Sequence, residues 1–387
     1  MPINKKNIVL IGNYLPDKQE SMRLFLHMFY EAYKVKGLEV EIWYPIVFFG
    51  AKVSTTNSGI GKWLAYIDKY LLFPIVLFGK RIIRKFKKKD VTYHICDHSN
   101  APYLLFLPQN KTVITCHDVL AIRGAFGFKD AFCEASLTGR ILQEWIFYSL
   151  LKAHKIGFVS EFTRNQFIEL KRLKNKQDNG STPLYEVIYN GFNADFVPLK
   201  YDEAKSVFKK YEVHFNTPYI LHVGSALPRK NRELLVEMLH MLSDSWNGII
   251  CFAGQKIDIK LDNLISKYGL QGRVVSILRP SHELLVALYS NCDAFVFPSF
   301  AEGFGWPLIE AQACGAPVIA SALNPMIEVC GGAAMQTNPY NPLEFVNAFN
   351  LLKDKSFRDN IIDQGFKNCE RFAKEAKVKA YLDFYEQ

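Results

Sequence analysis

Short apolar runs with strand character alternate with helix-like segments along the whole chain. The first run, NIVLIG at 7–12, precedes a helical pattern at 22–37 that ends at Gly37, and LEVEIWYP at 38–45 begins the next strand. Such alternation is typical of parallel strands joined by helices, because each helix covers one face of the sheet. The sequence therefore predicts an α/β fold built on parallel sheets.

The same alternation occurs on both sides of a polar, turn-rich segment at 189–198. Strand-like runs lie at 91–97, 112–118 and 155–160 before this segment, and at 219–225, 248–254, 274–278, 294–299 and 317–321 after it. A chain of 387 residues is also longer than one hydrophobic core usually supports. We therefore predict an N-terminal domain at 1–195, a C-terminal domain at 196–371 and a final amphipathic helix at 372–387.

Composition limits the class of partner and the compartment. The formal net charge of +9 favours an acidic partner such as a phosphate, a nucleic acid or an anionic lipid, but no nucleic-acid-binding module accompanies it. The eight cysteines form no CxxC pair, which indicates reduced thiols in a cytoplasmic protein. The apolar run at 8–11 is too short for a signal peptide, and no run approaches the roughly 20 residues of a spanning helix.

Two glutamates interrupt the otherwise apolar stretch EGFGWPLIEAQACGAPVIAS, at 302–321. Gly303 and Gly305 permit a tight turn after a strand, and Pro307 suits the start of a helix. A helix that begins at the carboxyl end of a strand offers a positive dipole end to a phosphate. Glu302 and Glu310 could then accept hydrogen bonds from sugar or ribose hydroxyls. The alternative, a single acid that complements the helix dipole, needs neither the second glutamate nor the glycine pair.

A basic loop follows the strand at 219–225. In GSALPRKN, at 224–231, Arg229 and Lys230 stand between that strand and the next helix. Two cations at the carboxyl end of a strand could neutralise a diphosphate leaving group. The alternative is an ordinary solvated basic turn.

His117 and Asp118 follow the strand-like run at 112–118. A histidine at the end of a strand is often structural, and the acid after it could orient the imidazole or cap a helix. The segment HICDH at 94–98 has histidines and a cysteine in alternation, but it lacks a fourth zinc ligand. No Asp-x-Asp pair occurs either, so no metal site is expected.

The segment 62–90 has the pattern of a basic amphipathic helix. Seven of residues 80–89 are Lys or Arg, and apolar residues lie between them. Such a segment suits an anionic membrane surface, although an ordinary solvated helix face has a similar composition.

Together, these segments resemble glycosyltransferase family 4, also called glycosyl transferases group 1, of the GT-B fold. The resemblance rests on two glutamates separated by seven residues and on matching motifs in the expected order over most of the chain. These motifs are VITCHD (113–118), VSEFTRNQF (159–167), VIYNGFN (187–193), HVGSALPRKNRELLVE (222–237), FPSFAEGFGWPLIEAQACGAPVIAS (297–321), IEVCGGAA (327–334) and NPYNP (338–342).

The resemblance implies two Rossmann-like domains that face each other across a cleft. The C-terminal domain would bind a nucleotide sugar, the N-terminal domain would bind the acceptor, and the helix at 372–387 would pack back on the N-terminal domain. The implied reaction transfers a sugar with retention of anomeric configuration. Arg229 and Lys230 would stabilise the departing diphosphate, and basic side chains and a helix dipole would replace a divalent metal.

The resemblance also assigns the remaining candidate site residues. Glu310 would hold the ribose hydroxyls, while Glu302 and the backbone of Gly303, Phe304 and Gly305 would grip the sugar. His117, with Asp118 beside it, would lie on the acceptor side. Three further donor-side candidates are Gly12 in the first loop, Ser225 where many relatives have Arg, and Arg279 near the base pocket, where the family often has glycine.

The implied partners are a UDP- or GDP-sugar and a glycan or lipid-linked saccharide, with bacterial surface polysaccharide synthesis as the expected pathway. We expect a cytoplasmic protein that is peripheral at the inner face of the plasma membrane. The competing interpretations are a GT-B-like nucleotide-sugar epimerase and a non-catalytic protein that binds nucleotide sugars or glycans.

Overall fold

The computed structural model describes residues 7–53, 55–56, 58–86, 90–174, 183–215 and 217–387. The chain divides into two compact units. The first comprises residues 1–128, 134–193 and 374–387, and the second comprises residues 129–133 and 194–373. Within the described ranges, no helix is long and apolar enough to cross a membrane.

The N-terminal unit is built on a parallel sheet with helices packed around it. Its described strands are β1 (Asn7–Ile11), β2 (Glu39–Trp43), β3 (Val91–Ile95), β4 (Thr112–Cys116), β5 (Lys155–Phe158) and β6 (Leu184–Val187). Its described helices include α1 (Glu20–Val35), α2 (Gly59–Ile67), α3 (Phe73–Phe86), α4 (Leu120–Ala125), α5 (Leu137–Leu150) and α6 (Glu161–Leu173). The strand order is β2-β1-β3-β4-β5-β6.

The C-terminal unit repeats this architecture with a second parallel sheet. Its described strands are β7 (Tyr219–Gly224), β8 (Ile249–Gly254), β9 (Val274–Leu278), β10 (Ala294–Phe297), β11 (Val318–Ser321) and β12 (Met335–Thr337). Its described helices are α7 (Tyr201–Lys210), α8 (Arg232–Leu242), α9 (Ile259–Lys267), α10 (His282–Asn291), α11 (Trp306–Ala313), α12 (Met326–Cys330), α13 (Pro342–Leu351) and α14 (Lys355–Cys369). The strand order is β12-β11-β10-β7-β8-β9.

Central strands are buried on both faces, as helix-covered parallel sheets require. Every residue of β4, β5, β10 and β11 is buried. Their nearly continuous apolar sequences therefore reflect packing on two sides. Because all neighbouring strands run parallel, the loops that follow them gather at one edge of each sheet.

The last helix, α15 (Lys374–Glu386), belongs to the N-terminal unit. The Tyr385 hydroxyl lies 2.8 Å from that of Tyr33 and 2.7 Å from His94 Nδ1. The Tyr381 hydroxyl lies 2.7 Å from Thr115 Oγ1. Buried polar groups of α1, β3 and β4 thus find their hydrogen-bond partners on the last helix, which fixes its register.

Candidate active site

Three loops of the C-terminal unit meet at the carboxyl edge of its sheet. Residues Pro228–Lys230 form one 3₁₀ turn between β7 and α8, and Asn231 then adopts a left-handed backbone with φ 51°. The Asn231 side-chain amide donates to the carbonyls of Pro298 at 3.2 Å and Pro339 at 2.8 Å. This one side chain therefore ties the β7–α8 loop to the loops that follow β10 and β12.

Glu302 is the centre of a buried ion-pair cluster. Its Oε2 lies 2.6 Å from Arg229 Nη1, and its Oε1 lies 2.6 Å from Lys230 Nζ. Arg229 Nη1 also donates to the carbonyl of Ala301 at 2.7 Å, and the backbone N–H of Phe300 donates to the carbonyl of Arg229 at 2.8 Å. The two cations and the carboxylate are therefore held in one orientation by both side chains and backbone.

The ionisation of this cluster follows from its charges. Burial alone would raise the pKa of Glu302, but Lys230 and Arg229 outweigh burial, and the net pKa lies below the usual value. Burial lowers the pKa of Lys230, and the nearby Glu302 opposes that shift. Glu302 is thus ionised, and two cationic side chains share one carboxylate. The cluster therefore carries an excess of positive charge, as a diphosphate site requires.

Glu310 has a different electrostatic environment. It lies on α11, whose first residue follows Gly305 with φ 97°, and Pro307 is the second helical residue. The Tyr289 hydroxyl donates to Glu310 Oε2 at 3.0 Å. Among the described side chains, Tyr289 is the only hydrogen-bond partner of the Glu310 carboxyl group. Burial raises the pKa of Glu310 to about 7, and the bond from Tyr289 opposes that shift. The two glutamates thus have pKa values displaced in opposite directions, which lets them take different roles.

The turn between them offers backbone groups rather than side chains. The Phe304 ring is buried against Phe372, with ring centroids 5.6 Å apart, and lies 6.0 Å from Trp306. Phe304 could therefore contact a ligand only through its backbone. The left-handed φ of Gly305 suits glycine, and it directs the start of α11 into this turn.

Ser225 and Arg279 lie at the same edge of the sheet. Ser225 is half-buried immediately after β7, and Arg279 follows β9 with an exposed side chain. The backbone N–H of Arg279 donates to the carbonyl of Gly254 at 3.0 Å, and its φ is 43°. This left-handed conformation is the one that glycine adopts most easily, so an arginine here costs about 1 kcal/mol of backbone strain.

Gly12 lies in the N-terminal unit, immediately after β1. A Cβ atom at this position would lie 2.4 Å from the Tyr44 ring and 2.7 Å from Leu26 Cδ1. Tight packing against these two side chains is a sufficient structural reason for glycine here. Nothing in this packing requires a ligand.

A polar cluster follows β1, β3 and β4 in the N-terminal unit. His117 Nε2 lies 2.9 Å from the carbonyl of Cys96, so Nε2 carries the hydrogen. Burial lowers the pKa of His117, which indicates a neutral imidazole. Asp97 accepts from Asn13 Nδ2 at 2.5 Å and from the backbone of Ser99 at 2.8 Å. Burial alone would raise the pKa of Asp97, but the net pKa lies below the usual value, and the hydrogen bonds from Asn13 and Ser99 contribute to this lowering.

Asp118 has a local structural contact. Its Oδ1 accepts from the backbone N–H of Leu120 at 3.0 Å, at the first residue of α4. Asp97 has a stronger effect than Asp118 on the ionisation of His117. The contact of Asp118 is therefore part of the turn that leads into α4, whose N-cap is Val119.

Sequence reasoning missed four residues near these sites. Asp97 and Asn13 come together only because β1 and β3 are neighbours, although Asp97 follows its strand as His117 does. His222 donates through Nδ1 to the carbonyl of Val296 at 3.0 Å, and burial lowers its pKa to about 3. A Cβ on Gly224 would meet His222 Nε2 at 3.4 Å and Lys230 Cδ at 3.6 Å, so His222 packs beside the cluster.

The fourth residue is Phe132, in the segment 129–133 of the C-terminal unit. Its ring stacks on that of Phe300, with centroids 4.7 Å apart, although its φ of 47° is strained for an aromatic residue. No sequence signal marked this contact.

No metal-binding group of three His, Cys, Asp or Glu side chains occurs among the described residues. Both ring nitrogens of His94, from the segment considered for zinc, are hydrogen-bonded: Nδ1 to Tyr385 at 2.7 Å and Nε2 to Thr115 at 2.7 Å.

Comparisons with known proteins match the C-terminal part of the chain to a family. The model for "Glycosyl transferases group 1" matches residues 204–377. O-antigen chain mannosyltransferase B of Escherichia coli is 29% identical over 86% of this chain and 85% of its own length. O-antigen chain mannosyltransferase RfbU of Salmonella typhimurium is 29% identical over 76% of this chain and 73% of its own length.

Solved structures show the same fold at low sequence identity. Sucrose-phosphate synthase from Thermosynechococcus elongatus matches with a TM-score of 0.71, 20% identity and coverage of 99% of this chain and 98% of its own. Anabaena HepE in complex with UDP-glucose matches with a TM-score of 0.69, 16% identity and coverage of 97% and 98%. Residues 204–377, which form most of the C-terminal unit, thus match the glycosyl transferases group 1 family, and the two parallel sheets have the GT-B fold.

Proposed function

We propose that this glycosyltransferase moves mannose from a nucleoside diphosphate sugar to a glycan or lipid-linked saccharide in bacterial surface polysaccharide synthesis. The observation that carries the proposal is the buried cluster of Glu302, Arg229 and Lys230 at the carboxyl edge of the C-terminal sheet. The sugar and the pathway follow from the names of the curated relatives, which are O-antigen mannosyltransferases.

The cluster supplies the charge that this reaction needs. As the bond between sugar and phosphate breaks, negative charge develops on the departing diphosphate. Arg229 can hold phosphate oxygens through two N–H groups, and Lys230 adds a second positive charge in a buried setting. The positive end of α11 adds a partial charge at the same edge. Both cations contact Glu302, so donor binding would exchange part of these contacts for phosphate oxygens.

The carboxylates bind hydroxyl groups in the same proposal. Glu302 is ionised and fixed, and it accepts hydrogen bonds from the sugar once the cations turn toward the phosphates. Glu310 accepts from the ribose hydroxyls. On the acceptor side, His117 is a neutral imidazole beside the ionised Asp97, and it contacts the acceptor or the transferred sugar.

We further propose that transfer retains the anomeric configuration and proceeds without a divalent metal. The departing phosphate then accepts the proton of the attacking hydroxyl on the same face of the sugar. Two cations and a helix terminus supply the charge stabilisation that a metal provides in other designs. Turnover should persist with excess chelator, and an α-linked donor should give an α-linked product in the NMR spectrum.

A donor panel tests the proposal. Thermal shifts are measured with GDP-, UDP-, ADP- and dTDP-sugars, and the selected donor is then incubated with lipid-linked saccharide acceptors. We expect a selective shift that is lost in Arg229→Ala and Glu310→Ala, followed by mannosylated product. Selective binding that never yields a saccharide product would favour the non-catalytic binder. Release of free nucleotide together with an epimerised sugar would favour the epimerase.

Glu310 predicts a proton release on donor binding. Its pKa of about 7 in the free protein should fall when ribose hydroxyls donate to it, because hydrogen bonds favour the carboxylate. Nucleotide affinity should therefore increase as pH rises through about 7. Calorimetry in two buffers of different ionisation enthalpy should detect a fraction of a proton released at pH 7.

The matched variants are Glu310→Gln and Tyr289→Phe. The first should abolish the proton release. Tyr289→Phe removes the hydroxyl that donates to Glu310, so the pKa of Glu310 should rise further. The pH dependence of nucleotide binding should then move to higher pH. Because the folded pKa is raised above the usual 4.5, the parent should also lose stability relative to Glu310→Gln as pH rises from about 4.5 to 7. Equal proton release in parent and Glu310→Gln would contradict the ribose assignment.

A further inference from the structure

An exposed apolar stripe runs along the helical segment 59–86 of the N-terminal unit. α2, a π-helical turn at Asp68–Leu72 and α3 follow one another without a break, over roughly 40 Å at the rise of a helix. Leu71, Ile75, Phe78, Ile82 and Phe86 recur at intervals of three or four residues and are all exposed. Such spacing places them along one face of the helix. The side chain of Phe86 is 83% exposed and that of Ile75 is 64% exposed.

The opposite face of this segment is fixed to the domain. Phe73 and Leu77 are fully buried in the N-terminal core. Asp68 accepts a hydrogen bond from Tyr14 at 2.6 Å and from the backbone N–H groups of Phe48, Phe49 and Gly50 at 2.9 to 3.0 Å. The segment cannot roll to bury its stripe without breaking these contacts. Its apolar residues are therefore held outward by the fold.

A second exposed apolar face adjoins the stripe. Leu137, Ile141 and Trp145 are exposed and four residues apart on α5. The Trp145 ring lies 5.1 Å from that of Tyr70, and Tyr66 and Trp63 continue this contact at 5.6 and 5.7 Å. An aromatic ladder thus joins α5 to α2. Trp and Tyr side chains of this kind are typical of a boundary between water and lipid headgroups.

Exposed charges of the segment 59–86 itself are of one sign, whereas α5 carries one cation, Arg140, and one exposed acid, Glu144. In the described part of 59–86, the basic residues are Lys62, Lys69, Lys80, Arg81, Arg84 and Lys85, and the single acid, Asp68, is buried. Several of these cations already have partners on the protein. Arg84 pairs with Glu41, Arg81 donates to the carbonyl of Phe106 at 3.1 Å, and Lys80 lies over the Trp43 ring. Residues 87–89, which complete the basic run, lie outside the described residues.

We propose that this surface, formed by the outer faces of 59–86 and α5, docks on an anionic phospholipid membrane. The helices lie in the plane of the headgroups, because their opposite faces are packed on the domain. Lys69 is also paired, with its Nζ 2.9 Å from Asp17 Oδ2. Since at least four of the cations are engaged within the protein, insertion of the apolar stripe contributes more to binding than charge does. The basic side chains select for anionic lipid. The inference goes beyond glycosyl transfer and does not depend on it.

Vesicle binding by the full chain tests this surface. Co-sedimentation is measured with phosphatidylcholine vesicles, with and without phosphatidylglycerol. The parent should bind the anionic vesicles. Phe78→Gln combined with Ile82→Gln should weaken that binding at least about tenfold, because two side chains lose their insertion. Lys62→Gln combined with Lys85→Gln should mainly reduce the preference for phosphatidylglycerol.

The control replaces Ile259 and Leu351 by glutamine, since both are exposed helical residues of the C-terminal unit. This control should bind vesicles like the parent, and thermal unfolding should show that every variant is folded. Three results would overturn the proposal: no binding of the parent to anionic vesicles, equal binding of stripe and control variants, or a parent dimer that only the stripe variants dissociate. The last result would indicate that a second copy of this chain, and not a membrane, covers this surface.

Discussion

Replacing Glu302 with glutamine should lower kcat by about 10²- to 10³-fold, the usual loss when one fixed electrostatic group is removed from an active site. Glutamine keeps the shape of the side chain but loses the charge that binds Arg229 and Lys230 at 2.6 Å. The two cations are then released from their carboxylate. The nucleoside diphosphate product should therefore bind at least as tightly as it binds to the parent, while transfer is impaired.

The measurement combines steady-state kinetics with calorimetric titration of the diphosphate. Glu233→Gln is the matched control, because Glu233 pairs with Lys260 at 2.7 Å on the surface of the same unit. A surface pair contributes little, so the control should change kcat by less than about twofold. If Glu302→Gln lost diphosphate binding in parallel with turnover, Glu302 would serve to hold the loop of Arg229 rather than to act on the sugar.

The central strands of both sheets and the edge strands β2 and β9 were predicted, but the edge strands β6 and β12 were not. β4 and β10 are buried on both faces, so their apolar runs stand out in the sequence. β6, with the sequence LYEV, is mostly half-exposed, and β12 has three residues. Neither forms an apolar run. β6 and β12 are recognised by their pairing with a neighbouring strand, which is a property of the tertiary structure.

The sequence singled out the segments that carry Glu302, Arg229 and Lys230, but it did not predict the contacts between these side chains. Glu302 was expected to grip the sugar, and Arg229 and Lys230 to hold phosphates, as separate groups. In the structure, Lys230 contacts Glu302 across 72 positions of sequence, and Arg229 contacts the same carboxylate. That contact depends on β7 and β10 being neighbours in the sheet, which alternation of strands and helices does not specify. The opposite pKa shifts of Glu302 and Glu310 arise from burial and pairing, which sequence spacing does not report.

Lys230→Met should destabilise the C-terminal unit by about 1.5–3 kcal/mol, because the buried Glu302 loses one of its two charge-assisted contacts and keeps the one from Arg229. Methionine keeps an unbranched side chain at this position but removes the ammonium, whose Nζ also lies 4.9 Å from the Phe297 ring centroid, so the loss reports the charge. Lys260→Met, at the exposed pair with Glu233, should cost less than about 1 kcal/mol. Denaturant unfolding of the full chain provides the measurement, and the transition that shifts on nucleotide addition identifies the C-terminal unit.

The double variant Lys230→Met with Glu302→Gln separates stability from function. Glu302→Gln should cost less stability in the Lys230→Met background than in the parent, because the contact between these two side chains can be lost only once. Activity should not return, because both the phosphate-binding cation and the sugar-binding carboxylate are gone. The two losses are thus predicted to be non-additive in unfolding free energy. Additive destabilisation would mean that Lys230 and Glu302 stabilise the fold independently, and the buried ion pair would then not be what organises this site.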